Sequence, residues 1–169
     1  VAVVENDTEN EVDGRPPHSF ECYVLAPESQ DQLIGEAIFS KKPMGIKSVG
    51  TVEVQVMDEG DKLHTVRFSR TVKRMIHIKA KVLTNQFFES DGVNQIKNSL
   101  LECINNLANG ESVYLSGLYG YIHEVHGVVN VQELRMSTDG KTYSASNIAI
   151  GDHEMARCEA GNIEIEVVS

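Results

Sequence analysis

The chain has 169 residues, of which 41% are hydrophobic and 24% charged, and its formal net charge is −10. This length suits one domain or two small lobes of an ordinary globular protein, and no stretch approaches the roughly 18 apolar residues that span a bilayer, so we expect no membrane insertion. A duplex-DNA binder needs cations that displace counterions from phosphates, so the acidic balance argues against nucleic acid as a partner.

The first part of the sequence predicts a loop, a strand and a helix in that order. Residues 5–15 are polar and acidic, which is typical of a surface loop. Residues 18–26 alternate between apolar and polar side chains, a period of two that predicts a strand with one buried face. Residues 27–42 carry four apolar side chains at helical spacing, which predicts one apolar helix face: Leu33, Ile34, Ala37 and Ile38.

The ends of this predicted helix carry signals of their own. Ser29 and Gln32 have the spacing of a capping box, which predicts the start of the helix. Pro43 lacks an amide donor and Gly45 tolerates a positive φ, so together they predict the helix end and a turn. A phosphate prefers the N-terminus of a helix, whereas these glycines follow one. We therefore interpret residues 39–50 as a corner rather than as a phosphate site.

Two strands complete the first predicted lobe. Residues 51–58 and 62–70 both alternate, and Gly60 provides a turn between them. The resulting order is β-α-β-β, with a helix laid across a sheet that contains a hairpin. We predict that this first lobe covers residues 1–74.

The second part of the sequence also opens with a strand and a helix. Four apolar residues alternate with polar ones and predict a half-buried strand: Ile76, Ile78, Ala80 and Val82. A cap at Ser90 or Asp91 precedes the clearest helical pattern of the chain, with apolar residues at spacings of three and four: Val93, Ile96, Leu100, Ile104 and Leu107. These patterns predict a long helix that packs on a sheet.

The remaining residues predict a short helix and three strands. The short helix has three inward residues, Leu118, Ile122 and Val125. Residues 128–150 predict two strands around a turn at 139–140, and residues 162–168 predict a last strand. The second lobe is thus predicted at residues 75–169, and the fold class is α+β, with two small two-layer lobes that each start with a strand and a helix.

Charge is unevenly distributed along the sequence. Residues 1–36 hold nine acids and one base, whereas residues 62–81 hold seven bases and no acid. Opposed patches of this kind suit docking to a partner or to further copies of the chain, and a solvated sheet face is the alternative interpretation. The candidate contact residues are Arg67, Arg70, Lys73, Arg74, Glu164 and Glu166.

The sequence offers little for catalysis. No phosphate-binding or dinucleotide-binding glycine motif occurs, and no Gly-x-Ser-x-Gly elbow, so we predict no cofactor. Three scattered cysteines, Cys22, Cys103 and Cys158, predict free thiols in a reducing compartment rather than a disulfide framework. Cys22 alternates in step with its apolar neighbours, so we interpret it as a core residue rather than as a nucleophile.

His123 and His126, with Glu124 between them, are the main candidates for metal chemistry. A spacing of three on a helix puts both imidazoles on one side, but zinc needs a third and a fourth ligand. The alternative interpretation is two surface histidines at a helix end. A metal-dependent hydrolase centred on these three residues is the alternative function, and the sequence neither supports nor excludes a general ligand-binding domain.

Several motifs in the first half carry a family resemblance. They are Gly14-x-Pro16-Pro17-His18-Ser19-Phe20-Glu21, Ala37-Ile38 with Lys42-Pro43-x-Gly45-Ile46, Gly50, and Phe68-Ser69-Arg70. In this order, with a helix and a hairpin between them, they make the chain resemble the bacteriophage baseplate J-like family, whose members are wedge components of contractile-tail baseplates. The resemblance is firm over residues 14–70 and looser beyond. Thr71 departs from it, because proline is expected at that position.

The resemblance implies a structural protein rather than an enzyme. It implies the C-terminal part of a longer chain, which a first residue of Val1 rather than Met also indicates. It further implies virion assembly around the tail hub of a phage or prophage, with other baseplate proteins and copies of the same chain as partners and an oligomer in the assembled tail. The implied location is the virion tail baseplate, and the host cytoplasm during assembly.

Overall fold

The computed structural model describes residues 1–43 and 45–168, and in these ranges the chain forms three α-helices and ten strands. The predicted α+β class is confirmed. The chain divides into two compact units, Val1–Val72 and Lys73–Ser169, which we call unit one and unit two.

Unit one is a mixed sheet with one helix packed on it. Its elements are β1 (Ala2–Asn6), β2 (Ser19–Val24), α1 (Asp31–Lys41), β3 (Lys47–Val49), β4 (Val52–Met57) and β5 (Leu63–Arg70). The strand order is β1-β2-β5-β4, and the short β3 also pairs with β2. β4 and β5 form an antiparallel hairpin, and α1 packs against both strands. The helix predicted to lie across a hairpin is therefore present.

The core of unit one is small. Seven buried hydrophobic residues form it: Phe20, Cys22, Val24, Val54, Val56, Val66 and Phe68. Ile34 and Ile38 of α1 pack against this cluster, but the helix's own buried residue is Gly35. A Cβ at Gly35 would lie 2.8 Å from Cγ1 of Val54, so the glycine lets the helix backbone approach β4 directly.

The predicted start and apolar face of this helix are partly wrong. Ser29 lies in a short 3-10 turn over Glu28–Gln30, α1 begins at Asp31, and no side chain caps the helix. Leu33 is 66% exposed, because contact through Gly35 turns the Ile34 and Ile38 side of the helix toward the sheet. The predicted helix end before Pro43 is correct, as is the positive φ of Gly45; Met44 lies outside the described residues.

Two strands of unit one, β1 and the short β3, were not predicted from the sequence. β1 pairs with β2 in antiparallel register, so the predicted loop at residues 5–15 actually begins inside a strand. Asn6 ends that strand and is buried, and its Nδ2 donates to the carbonyls of Asn10, Arg15 and Pro16 at 2.8–2.9 Å. One amide side chain thus orders the acidic loop that follows β1.

The second half of the chain contains β6 (Val72–Met75), β7 (His77–Thr84), α2 (Gly92–Asn105), α3 (Leu115–His123), β8 (Val128–Ser137), β9 (Glu154–Arg157) and β10 (Ile163–Val168). Its main sheet has the order β10-β7-β8, with β10 parallel and β8 antiparallel to β7, while β6 and β9 form a two-stranded sheet. The predicted succession of strand, long helix, short helix and strands is present.

Unit two has a large core on one face of its main sheet. Eighteen buried hydrophobic residues form it, including all four predicted for the first strand and all three predicted for the short helix. α2 contributes Ile96, Leu100 and Ile104, each fully buried. The strand predicted between the turn at 139–140 and residue 150 is wrong, because only isolated bridges occur there, at Ser144 and Ile148.

Candidate interaction surfaces

The basic segment at residues 62–81 is largely neutralised within the chain. Among the described residues, five of its seven cations form ion pairs: Arg67–Glu53 at 2.7 Å, Arg70–Asp31 at 2.5 Å, Arg74–Glu154 at 2.8 Å, Lys79–Glu164 at 2.8 Å and Lys81–Glu166 at 2.7 Å. Lys73 is exposed on β6 and has no ion pair within residues 1–43 and 45–168. The basic positions predicted as a docking patch are therefore mostly compensated by carboxylates of the same chain, of which only Asp31 belongs to the acidic region at residues 1–36.

The Lys–Glu pairs of unit two follow from parallel strand pairing. β7 and β10 place Lys79 opposite Glu164 and Lys81 opposite Glu166 on the face of the sheet away from the core. The pKa of each lysine is raised, chiefly by its hydrogen bond to the facing glutamate. Exposed pairs of this kind stabilise a fold little, and the arrangement favours the solvated sheet face over a docking patch.

Arg70 differs from the other candidate contact residues because it is half-buried. Its guanidinium donates to the carbonyl oxygen of Ala26 at 2.6 Å and to Oδ1 of Asp31 at 2.5 Å. These bonds fix the first turn of α1 to the end of β5. A charge reversal at Arg70 would therefore disturb unit one itself, which is not expected for a residue that serves only a partner.

The motifs that carry the resemblance meet one another inside unit one. Glu21 accepts hydrogen bonds from Ser69 Oγ at 2.5 Å, from Tyr23 Oη at 2.7 Å and from Arg15 Nε at 3.1 Å. Burial alone would raise the pKa of Glu21, but these three hydrogen bonds together lower it. The network joins β2, β5 and the preceding loop, which is a structural role.

Two further positions of these motifs have a clear backbone reason. Gly50 has a φ of +148°, and a Cβ there would lie 2.2 Å from the carbonyl carbon of Phe68, so only glycine fits. Thr71, where the resemblance leads one to expect proline, donates its amide to the carbonyl of Val24 at 3.1 Å. Proline has no amide hydrogen and would lose that bond.

Unit one has an open apolar groove between α1 and the strands β1 and β2, with a volume of about 560 Å³. Its floor is the sheet face of β1 and β2, formed by Val1, Val3, Phe20, Cys22 and Val24. Its helix wall is formed by Ile34, Ala37 and Ile38, and one end is formed by Lys41, Lys42, Pro43 and Ile46. The corner predicted at residues 39–50 thus borders a groove that the sequence interpretation did not anticipate.

The groove is lined by polar as well as apolar residues, among them Glu5, Asn6 and Ser19. Val1 and Val3 are 81% and 53% exposed, so the β1 part of the apolar floor is accessible from solvent, whereas the β2 part is buried. Burial raises the pKa of the Cys22 thiol, which disfavours a reactive thiolate and fits its interpretation as a core residue. The groove is therefore a surface for binding through apolar contact, with charged side chains at its rim.

The residues of the metal hypothesis are not assembled into a site. His123 is the last residue of α3 and Glu124 follows it, whereas the ring of His126 packs against Phe87 with centroids 5.9 Å apart. Across the part of the chain that the structure describes, no three His, Cys, Asp or Glu residues are grouped so that they could hold a metal ion. This geometry does not support a metal-dependent hydrolase. Metal analysis of the purified protein tests that hypothesis directly, and a result without stoichiometric zinc would contradict it.

The three cysteines are free, with Cys22 and Cys158 buried and Cys103 half-buried. Within the described residues, no helix is both long and apolar enough to cross a membrane. No protein family matches the chain, and no curated protein matches it. The resemblance therefore stays a prediction from the motifs, and the groove is the surface from which a function can be argued.

Proposed function

We propose that the chain is a structural component of the contractile-tail baseplate of a phage or prophage, and that it acts by protein–protein contact around the tail hub. The order and spacing of the motifs over residues 14–70 support the baseplate assignment. The observation that carries the mode of action is the groove of unit one, where Val1 and Val3 leave an apolar surface of the sheet edge exposed among the described residues.

An exposed apolar surface of this kind gains free energy when another protein removes it from water. Its charged rim can orient the partner and limit the choice of partner. Other baseplate proteins and further copies of the chain are the proposed partners, and the groove rather than the ion-paired segment at residues 62–81 is the proposed contact surface.

Immunogold electron microscopy tests the assignment. An antibody raised against the full chain is applied to contractile tails from the lysate of the source culture, with the same antibody pre-absorbed on purified protein as the control. We expect gold at the distal end of the tails. Intact tails without label, together with free protein in the supernatant, would contradict the proposal.

A further inference from the structure

In the part of the chain that the structure describes, four strands lie at the edges of the two larger sheets: β1 and β4 in unit one, and β8 and β10 in unit two. Three of them carry features that oppose further strand pairing. β10 carries the exposed charges of Glu164 and Glu166, and two register shifts interrupt the pairing of β8 with β7. On β4, the carbonyl of Gln55 already accepts a hydrogen bond from Nε2 of Gln32 at 3.2 Å. β1 has none of these features except the single charge of Glu5.

The hydrogen bonds of β2 show which way its backbone groups point. β2 has β1 on one side and β5 on the other. The amide of Thr71, directly after β5, donates to the carbonyl of Val24 at 3.1 Å, so the backbone polar groups of Val24 point toward β5. These groups point to alternate sides along a strand, so those of Tyr23 point toward β1.

The register between β1 and β2 then gives the direction of the backbone groups of β1. Ala2 lies opposite Tyr23, and the two residues exchange hydrogen bonds. By the same alternation, Val3 and Glu5 direct their N–H and C=O groups away from β2. No strand lies beside these four groups within residues 1–43 and 45–168. They form a free edge at which a further strand can pair.

The side chains next to this free edge are apolar and accessible. Val1 and Val3 are both more than half exposed, and they line the groove together with Ala37 of α1. A strand beside β1 places every second side chain on this face of the sheet. Apolar side chains at those positions would remove both valines from water, while main-chain hydrogen bonds form along the edge.

Charge distinguishes a basic partner from a second copy of the chain. The first 13 residues carry no base and five acids: Glu5, Asp7, Glu9, Glu11 and Asp13. Lys41 and Lys42 line the same end of the groove as Glu5, and Arg15 pairs with Asp13, so carboxylates outnumber the permanent cations nearby by five to three. A second copy would bring the same acidic segment and a net charge of −10, which opposes self-pairing, whereas a basic segment is attracted.

We propose that the free edge of β1 binds an extended segment of a partner protein as an additional antiparallel strand, with a basic residue opposite Glu5 and apolar residues opposite Val3 and Val1. The proposal rests on the assembly role proposed above and specifies the binding mode and the chemistry of the partner. Antiparallel pairing is slightly more stable per residue than parallel pairing, and it lets Val3 and Glu5 each exchange two hydrogen bonds with the facing residue. The basic residue of the partner then precedes its apolar residues.

A synthetic peptide with the sequence Arg-Thr-Lys-Thr-Ile-Thr-Val-Thr tests this binding mode. It is acetylated, amidated and labelled with fluorescein, and its binding to the full chain is measured by fluorescence anisotropy. In the proposed register its isoleucine amide donates to β1, whereas the amide of the preceding threonine points away. We expect N-methylation of the isoleucine amide to weaken binding by about tenfold or more and N-methylation of that threonine amide by less than about twofold. The reversed sequence, which suits a parallel strand, should bind more weakly.

The variant Val3→Pro tests whether the peptide pairs with β1. Because the amide of Val3 points away from β2, proline removes a donor of the free edge without breaking the pairing of β1 with β2. Val3→Thr is the matched control, because threonine keeps the amide and the β-branched shape. We expect Val3→Pro to weaken peptide binding by about tenfold or more and Val3→Thr by less than about threefold, with both thermal midpoints close to that of the wild type. A clearly lower midpoint for Val3→Pro alone would show that this amide serves β2 and would overturn the free edge.

The variant Glu5→Lys tests the charge requirement. A second peptide, in which glutamates replace the arginine and the lysine, is compared with the basic peptide. We expect the wild-type protein to prefer the basic peptide and Glu5→Lys to reduce this preference by about fivefold or more. Glu59→Lys is the control, because Glu59 is exposed in the turn between β4 and β5, does not line the groove and changes the net charge equally. An unchanged preference in Glu5→Lys would contradict the proposed basic partner.

Several further results would overturn the proposal. No binding of the basic peptide, or equal weakening by the two N-methyl groups, would remove β1 as a site of strand addition. Tighter binding of the reversed peptide would contradict the antiparallel orientation. A wild-type dimer in sedimentation velocity that Val3→Pro dissociates would show that a second copy occupies the edge. Gold-labelled tails with no peptide binding would contradict strand addition alone, whereas peptide binding with unlabelled tails would contradict the baseplate role alone.

Discussion

Unit one and unit two open with the same strand-then-helix pattern but close their cores to different extents. Unit two buries eighteen hydrophobic residues in one cluster, with two helices against its sheet. Unit one buries seven hydrophobic residues under one helix and keeps an open groove beside its first strand, where Val1 and Val3 are exposed. The difference teaches that a helix on a sheet makes a complete core only when the helices match the width of the sheet.

The largest expected difference between the units comes from truncating a leucine in each long helix. Leu100 of α2 is fully buried, so Leu100→Ala should lower the free energy of unfolding by about 2–5 kcal/mol through lost burial and a cavity. Leu33 of α1 is 66% exposed, so Leu33→Ala should change it by less than about 0.5 kcal/mol. Urea unfolding of both variants measures the contrast, and similar losses would mean that α1 is as deeply packed as α2.

The next largest effect concerns the ion pairs. Arg70 and its partner Asp31 are only about one quarter exposed, so Arg70→Ala leaves a half-buried carboxylate and should cost about 1.5–3 kcal/mol. Lys79→Ala removes an exposed pair in unit two and should leave stability unchanged within error. Hydrogen exchange, read by mass spectrometry, should show faster exchange in α1 for Arg70→Ala. Unaltered exchange there would mean that Arg70 is free to serve a partner.

A smaller effect is expected when alanine replaces a helical glycine in each unit. Gly35→Ala puts a methyl 2.8 Å from the Val54 side chain, so α1 must shift and the variant should be destabilised by about 1–3 kcal/mol despite the better helix propensity of alanine. A Cβ at Gly117 of α3 would have no heavy atom within 4 Å, so Gly117→Ala should stabilise the protein by up to about 1 kcal/mol. Thermal unfolding compares the two variants, and stabilisation by Gly35→Ala as well as by Gly117→Ala would contradict close packing of α1 on β4.

The smallest expected effect is a pH dependence of the stability of unit one. Glu21 has a lower pKa in the folded chain than its ordinary value of 4.5, so its stabilising effect is fully present above that value and is lost as pH falls through the lower folded pKa. The protection of amides in β2 and β5, taken relative to the intrinsic exchange rate at each pH, should therefore decrease as the pH drops below about 4.5. Glu21→Gln should weaken the network at neutral pH and flatten this dependence; an unchanged dependence in that variant would assign it to other carboxylates.

Local pattern predicted much of unit two and less of unit one. β7 and α2 were predictable because their periodicity reports directly on a face that is buried along the whole element. Leu33 was wrongly predicted to face the core. The spacing of apolar residues cannot show that the helix backbone at Gly35 packs against Val54, and this contact sets the rotation of the helix about its axis. The first strand was missed because its polar end reads as a loop, whereas Asn6 is buried by hydrogen bonds to carbonyls several residues away.

The interaction surface was harder to predict than the fold, since it depends on tertiary neighbours. Lys79 and Lys81 pair with glutamates 85 residues away, so a count of charges along the sequence could not show that this part of the basic segment is compensated. The groove exists because α1 packs on the core formed by β2, β4 and β5 while Val1 and Val3 beside it stay exposed, and no local pattern specifies that choice.

The ladder of Lys79–Glu164 and Lys81–Glu166 has a consequence for how the last strand finds its place. β10 is an edge strand, and its alignment with β7 could slip during folding. A slip of one residue would turn the two glutamates toward the core, and a slip of two would leave one lysine opposite Val168 or Asn162, without a partner glutamate. The paired charges therefore contribute more to the uniqueness of the strand alignment than to the depth of the native free-energy minimum, and they keep β10 in a single register.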